Sequence, residues 1–172
     1  MSYFWGSEKL NIPSGQILHQ GIPLAQINFK QEMLGLIGKN FSGYVALAVD
    51  ESFGTEESTI LLRRGKMVAA SHSYLNHNKT LFGKKALAHA LNAAASKKGV
   101  MDVAKLSDAE TELAISINPE AQAGSYGAEL IMNRYVASFY SRELFKRLFK
   151  GEEKTTKHAI FKKLGIDNIK ID

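Results

Sequence analysis

The chain has 172 residues, of which 45% are hydrophobic and 23% are charged, and these are the proportions of a globular domain rather than of a disordered protein. It contains no cysteine, which excludes disulfide scaffolds, zinc–thiolate sites, iron–sulfur clusters and thiol nucleophiles. The net charge of +5 is concentrated near the end of the chain, because residues 138–172 carry nine Lys and Arg against five Asp and Glu.

The cellular location is predicted from the absence of targeting signals. Residues 1–8 do not combine a cationic region with an apolar run, so we do not expect a signal peptide. The apolar stretches are far shorter than the roughly 20 residues that a membrane-spanning helix needs. A chain without cysteine also suits a reducing compartment. We therefore expect a cytoplasmic protein with no transmembrane segment.

The first 40 residues predict one strand and one helix. Two turn signals, at residues 13–15 and 21–23, flank a short predicted strand over residues 16–19. Apolar side chains then recur at intervals of three and four from Ile27, which is the spacing of a helix. Gly38 is a typical residue for the end of that helix.

The next segment predicts a three-stranded antiparallel meander, and it has the clearest pattern in the chain. Residues 43–50, 58–63 and 66–73 are rich in strand-forming side chains. Arg64-Gly65 provides a two-residue reversal between the second and third of these strands. The polar residues from 50 to 57 predict a loop.

Two helices and a fourth strand are predicted after a polar loop at residues 74–80. Apolar residues in the segment 81–94 recur at helical spacing and are followed by lysines and a glycine, which are typical of a helix end. Residues 100–106 alternate and predict the fourth strand. Ser107 and Glu110 have the spacing of a capping box, which predicts the start of a second helix.

Residues 119–127 are mostly small, a composition typical of a flexible segment, and we place the boundary of the core domain there. This divides the chain into an α+β core, residues 13–121, and a C-terminal helical extension, residues 128–172. The predicted helices of the extension cover residues 128–148, with a break near Ser138, and residues 155–164. The predicted fold class is α+β, with a small antiparallel sheet of about four strands, centred on the meander and packed with helices.

Two segments come close to catalytic motifs but fail in spacing. A phosphate-binding loop that used Gly38 would need glycine at Met33 and a hydroxyl at Asn40. A nucleophile elbow around Ser125 would need glycine at Ala123 and a preceding strand. We interpret the first segment as a helix end and the second as part of the linker.

The histidines and carboxylates do not have the spacing of a metal or catalytic site. We expect His72 to face solvent and His89 to lie on the polar side of its helix. We interpret adjacent acids such as Glu56 and Glu57 as solvated loop charge, because nothing apolar surrounds them in sequence. One alternative is a metal site built from His72 and His77 with Asp50 or Glu51. We therefore predict no catalytic residue, no metal, no cofactor and no enzymatic activity.

The helix predicted around residues 139–150 separates apolar from basic side chains. On an ideal helix Leu144, Phe145 and Leu148 share one side. The opposite side is a candidate interaction surface made of Arg142, Lys146, Arg147 and Lys150. This basic face is either the solvated side of a docked helix or a contact for nucleic-acid phosphates or an anionic membrane. The aromatic residues lie on the apolar side, so no stacking platform for bases is evident.

The order of several short motifs resembles a known family. These motifs are Pro13-Ser14-Gly15, Gly21-Ile22-Pro23-Leu24, Phe41-Ser42-Gly43-Tyr44-Val45, Glu56-Glu57-Ser58-Thr59-Ile60, Gly65-Lys66-Met67-Val68-Ala69 and Gly99-Val100-Met101-Asp102-Val103. Over residues 13–121 the chain resembles an archaeal family classed only as a domain of unknown function. That family is similar in layout to the PATAN-type domains of bacterial signalling proteins. Ser58 departs from it, since the family usually has glycine after the two acids. The resemblance implies a non-enzymatic adaptor or regulatory domain of archaeal cytoplasm and supplies no catalytic residues.

Three functional hypotheses follow from the sequence. The first is a protein-interaction or regulatory module that binds a protein partner or a second copy through a strand edge or an apolar helix side. The second is binding of nucleic acid or another anionic surface through the basic face, although no motif supports nucleic acid. The third is an unrecognised enzyme or small-ligand binder near His72, Tyr74, His77 and Asn78.

Overall fold

The computed structural model describes residues 9–132 and 139–150, and the chain divides into two compact units, residues 1–140 and 141–172. The first unit contains one antiparallel sheet of seven strands. In chain order, these strands are β1 (Gln16–Pro23), β2 (Gly43–Glu51), β3 (Gly54–Arg63), β4 (Lys66–Tyr74), β5 (Lys79–Phe82), β6 (Gly99–Lys105) and β7 (Gln122–Tyr126). Their order in space is β1-β6-β2-β3-β4-β5, with β7 also paired to β4.

The described residues also form helices, so the α+β class is confirmed. They are α1 (Phe29–Gly38), α2 (Gly83–Ala93), α3 (Asp108–Ile117), α4 (Ala128–Met132) and, in the second unit, α5 at residues 143–150. The prediction of about four strands is wrong, because the short strands β5 and β7 add to the sheet. None of the helices in the described ranges is long and apolar enough to cross a membrane.

The meander of β2, β3 and β4 is confirmed. Arg64 and Gly65 both adopt positive φ, 47° and 72°, as a two-residue hairpin turn of this type requires. A side chain at Gly65 would also press on the carbonyl oxygen of Ile37, 2.5 Å from the added carbon. The loop predicted up to residue 57 is wrong in its second half, since β3 already begins at Gly54 and pairs with the end of β2.

The two faces of the sheet bury different sets of side chains. Alternate residues of β2 are buried, beginning with Gly43 and Val45, as expected for a sheet with a core on one side. Helix α2 packs on β3 and β4, and we call this side of the sheet the α2 face. The opposite side, the α3 face, buries a smaller apolar cluster that consists of Leu10, Leu61, Ala69, Leu106, Ala114 and Ala121.

Helix α3 begins as the sequence predicts and also holds the β3–β4 turn. Ser107 and Glu110 form a complete capping box. Asp108 accepts hydrogen bonds from Ser42 Oγ at 2.9 Å and from the Arg64 guanidinium at 2.8 Å. The Arg64 backbone N–H in turn donates to Ser42 Oγ. The left-handed conformation of Arg64 is therefore fixed by contacts from two other segments.

Two segments that the sequence assigns to turns or linkers belong to the sheet. The turn predicted at residues 21–23 lies within β1, where the pairing with β6 is irregular. Residues 119–127 form a 3-10 turn, Pro119–Ala121, followed by β7, and not a flexible connection. The break predicted near Ser138 and the helix predicted at residues 155–164 lie outside the described residues, and the division into a core and an extension stays a prediction.

Candidate interaction surfaces and the buried polar cluster

Five polar side chains are buried together on the α2 face. Glu56 and Ser58 come from β3, His72 and Tyr74 from β4, and His89 from α2, and none is more than 3% exposed. The strand register places them side by side, because Glu56 pairs with Tyr74 and Ser58 pairs with His72. We call this group the buried polar cluster.

The buried polar cluster contains a chain of polar contacts centred on Glu56. Ser58 Oγ lies 2.8 Å from His72 Nδ1, and His72 Nε2 lies 3.4 Å from Glu56 Oε2. The last distance is longer than a direct hydrogen bond. The other carboxyl oxygen, Glu56 Oε1, accepts a hydrogen bond from the hydroxyl of Tyr140. Burial and this hydrogen bond raise the pKa of Tyr140, so its hydroxyl stays protonated. This hydrogen bond holds Tyr140 against β3.

A second pair in the cluster joins a phenol to an imidazole. The hydroxyl oxygen of Tyr74 lies 2.6 Å from His89 Nδ1. Burial is the main cause that lowers the pKa of His89 to about 4, and the nearby His72 and Lys85 contribute to the same shift. Burial, followed by the proximity of Glu56, raises the pKa of Tyr74. At neutral pH both groups are therefore uncharged, and we assign the hydroxyl as donor to Nδ1.

The residue types of the cluster are those of a catalytic triad. A serine nucleophile must contact a substrate, whereas Ser58 is 3% exposed. The network is only partly satisfied, because Glu56 Oε2 and His72 Nε2 are buried without a hydrogen-bond partner among the described residues. The contacts that are made, between Ser58 and His72 and between Tyr140 and Glu56, link β3, β4 and residue 140.

The cluster corrects three predictions made from sequence. His72 does not face solvent and is 0% exposed, and His89 does not lie on a polar helix side. Glu56 is not a solvated loop charge, since it lies in β3 and points to the α2 face. Glu57 points to the other face and pairs with Lys9 at 2.5 Å. Adjacent residues of a strand face opposite sides, so the two acids had to be separated.

The structure does not bring together the residues of the predicted ligand or metal site. His72 and Tyr74 are buried, whereas His77 and Asn78 lie in an exposed turn. His77 Nε2 is 3.1 Å from the carbonyl oxygen of Phe53. Across residues 9–132 and 139–150, no group of three His, Asp or Glu side chains could hold a metal ion.

The four predicted cations lie on helix α5 or directly before it. All four are exposed: Arg142 precedes the helix, and Lys146, Arg147 and Lys150 lie within it. Phe145 is 7% exposed, and its ring stacks on Phe149 with centroids 4.4 Å apart. The separation of basic and apolar side chains matches the predicted pattern. Lys146 is also 3.3 Å from Glu143, which neutralises part of the basic face.

The outer edge of β1 is a second candidate surface. β1 pairs with β6 on one side, and no other strand in the described part of the chain covers its outer side. Seven of its eight residues are exposed, and Ile17 and Leu18 are 60% and 42% exposed. From Leu10 to Phe29 the sequence contains no Asp, Glu, Lys or Arg, although 23% of the whole chain is charged. The β1 edge is therefore open, apolar and uncharged.

Comparison with known proteins identifies the family. A family model described as an uncharacterized protein conserved in archaea, DUF2226, matches residues 10–118, which is more than half of the chain. The chain belongs to this family. The match includes the sheet from β1 to β6 and ends at the end of α3. No curated protein and no solved structure is significantly similar to the chain. The archaeal resemblance is confirmed, and the similarity in layout to PATAN-type domains stays an expectation.

The lowered pKa of His89 predicts a loss of stability in acid. When the pH falls below 6.5, the unfolded chain binds a proton at His89 before the folded chain does, so unfolding is favoured until the pH reaches about 4. These two pKa values correspond to a loss of about 2 kcal/mol at pH 5 relative to pH 7. His89→Gln, which keeps an acceptor for Tyr74, should reduce the acid loss by this amount in urea unfolding at both pH values. The exposed His19→Gln is the matched control, and an unchanged acid loss in His89→Gln would contradict the prediction.

The contact between Tyr140 and Glu56 predicts a specific cost for removing one hydroxyl. Tyr140→Phe leaves Glu56 buried with only its long contact to His72 among the described residues, which should lower the free energy of unfolding by about 1–3 kcal/mol. Tyr44→Phe is the control, because its hydroxyl donates to the Ser14 carbonyl in an exposed position where water can replace it. Urea unfolding at pH 7 measures the free energy of unfolding of both variants. Equal losses of stability would contradict the prediction that the buried contact to Glu56 contributes more than the exposed one.

Proposed function

We propose that this protein is a non-enzymatic interaction module of archaeal cytoplasm that binds a protein partner by strand addition to the β1 edge. The observation that carries the proposal is the open, uncharged outer side of β1, residues 16–20. Alternate backbone N–H and C=O groups of an edge strand point away from the sheet and can pair with an extended segment of a partner.

The β1 edge has only part of the protection that edge strands usually have. Natural sheets block unwanted pairing with charged side chains, especially lysine, with proline or bulges, or by covering the edge. In β1, Pro23 lies at the end of the strand, and the pairing with β6 shifts register between Ile17 and His19 and again between His19 and Ile22. The first half of the strand exposes Ile17 and Leu18 and has no charged residue of its own, although Gln16 pairs with Lys105 of β6. The missing charge favours binding at residues 16–20.

The position of β1 within the chain also supports the proposal. The family match begins at residue 10 and therefore includes β1, whereas Tyr140 and the basic face lie beyond its end at residue 118. The resemblance stated from sequence implies an adaptor or regulatory domain, and an open strand edge is a surface that such a domain can use. A regulatory role is thus part of the proposal.

A charged β1 edge should lose its partner. The double variant Ile17→Lys/Leu18→Lys places two cations on the edge, where they repel a pairing strand and lose strand propensity. The chain immobilised through a tag should retain specific proteins from a lysate of the source organism, and the variant should retain at least tenfold less of them by quantitative mass spectrometry. Leu113→Lys on α3, where the leucine is 53% exposed, is the matched control.

The captured protein must then bind in purified form for this prediction to hold. Purified partner should bind the parent chain and the Leu113→Lys control with equal affinity and bind the edge variant at least tenfold more weakly. Equal capture by all three chains, or capture by none, would count against strand addition at β1.

A second candidate function is binding of a nucleic acid through the basic face. The observation that favours it is the exposure of all four cations. Each lysine or arginine that contacts a phosphate releases bound counterions, so affinity from this surface must fall with salt.

Removal of the four cations tests the second candidate. With a fluorescent DNA duplex, the parent should show a slope of log affinity against log salt of about −3.6 for four phosphate contacts, and Arg142→Ala/Lys146→Ala/Arg147→Ala/Lys150→Ala should abolish binding. The matched control replaces four exposed lysines of the core unit, Lys84, Lys85, Lys97 and Lys98, with Ala. Equal losses in the two quadruple variants would indicate nonspecific attraction and remove the basic face as a site.

A further inference from the structure

We infer that the partner of the β1 edge is a second copy of this chain, with the two β1 strands paired antiparallel across a two-fold axis. The inference rests on the proposed function, since it names the occupant of the same edge. It would join the two seven-stranded sheets into one continuous sheet.

β1 is exposed on both faces, and this favours a partner that pairs a strand with it. Alternate residues of β2 are buried and residues 69–74 of β4 are all buried, whereas seven of the eight residues of β1 are exposed. β1 is therefore held mainly by hydrogen bonds to β6. A second row of hydrogen bonds and new cross-strand neighbours for Ile17 and Leu18 would stabilise it, because cross-strand pairs are the unit of sheet stabilisation.

The charge pattern favours an identical strand as the occupant. In an antiparallel pair across a two-fold axis, the central residue faces its own copy and the residues beside it lie diagonally close to theirs, so a charge near the centre would lie close to a like charge. The twenty residues from Leu10 to Phe29 have no Asp, Glu, Lys or Arg, and this repulsion does not arise. A strand selected for a charged foreign partner would instead be expected to carry complementary charge.

The short open segment sets the register. Pairing is limited to residues 16–20, between Gly15 and Gly21, both of which adopt φ of +64°. Within this segment the pairing of β1 with β6 shifts register between Ile17 and His19. Centred on Leu18, the two copies of Leu18 face one another, Ile17 faces His19, and Gln16 faces Gln20. The pairs are apolar at the centre and can form amide hydrogen bonds at the ends.

The absence of native cysteine makes cross-linking a direct test. Leu18→Cys introduces the one thiol of the chain, and mild oxidation of the full-length protein should give a covalent dimer, because directly opposed strand residues have Cβ atoms close enough for a disulfide. Ile17→Cys and His19→Cys detect a register shifted by one residue. Leu113→Cys on α3 is the matched control and should remain a monomer. Failure of all three strand variants to exceed the control overturns the inference.

Self-association in solution provides the second measurement. The parent and Leu113→Lys should form dimers in analytical ultracentrifugation, and Ile17→Lys/Leu18→Lys should weaken the dimer at least tenfold while keeping its circular dichroism spectrum. Because the β1 edge is uncharged, raising NaCl from 0.1 to 1 M should not weaken the dimer, whereas association through the basic face would weaken it. A dimer that ignores the edge substitutions, or that dissociates in salt, overturns the inference.

The same variants separate this inference from the proposed function. A chain that stays monomeric at all concentrations but retains another protein in an edge-dependent manner overturns the second copy as partner and leaves strand addition standing. A monomeric chain that retains nothing at the edge overturns both.

Discussion

The hydrogen bonds at the two edges of the sheet are the constraint on which the rest of the structure depends. β4 has its outer side covered twice, by β5 along residues 71–74 and by β7 along residues 67–69. β1 at the other end has only β6 beside it in the described part of the chain. A sheet needs partners for its edge N–H and C=O groups, or features that block pairing. Here the sheet ends on one side in the short strands β5 and β7 and on the other side in the longer strand β1, whose outer side no described strand covers.

Burial of Glu56 links the far end of the core unit to the sheet. A carboxyl group at 1% exposure is costly to bury unless polar groups contact it, and the hydroxyl of Tyr140 donates a hydrogen bond to Glu56 Oε1 while the other oxygen has His72 Nε2 only at 3.4 Å. Tyr140 follows Glu56 by 84 positions, so one contact fixes where this part of the chain lies on the α2 face. His89 and Tyr74 extend the same network to α2. The cluster therefore contributes to a single packing arrangement of β3, β4 and α2.

The elements that were predicted correctly are those whose sequence signals lie within a few neighbouring residues. Helix α3 begins at a capping box, and the β3–β4 turn has the Arg64-Gly65 pair that its geometry requires. The missed elements depend on distant partners. β7 contains Gly124 at φ +118°, and its pairing with β4 is irregular, so its composition is that of a linker. His72 and Glu56 were predicted to be exposed because they are polar. Only the pairing of β3 with β4 beneath α2 buries them. The exposed basic face was predictable, since helical periodicity alone defines it.

The extent of the family match separates the two candidate surfaces. A property that belongs to the family must be built from residues 10–118, which contain β1 and all of the buried polar cluster. The basic face of α5 lies outside this range and can only add to such a property. The span from Leu10 to Phe29 lacks charge while exposing Ile17 and Leu18, although exposed apolar side chains on an open edge promote association. A chain that needed to stay monomeric would gain from a single lysine in this strand, and this argument supports the proposal that the β1 edge is a binding surface.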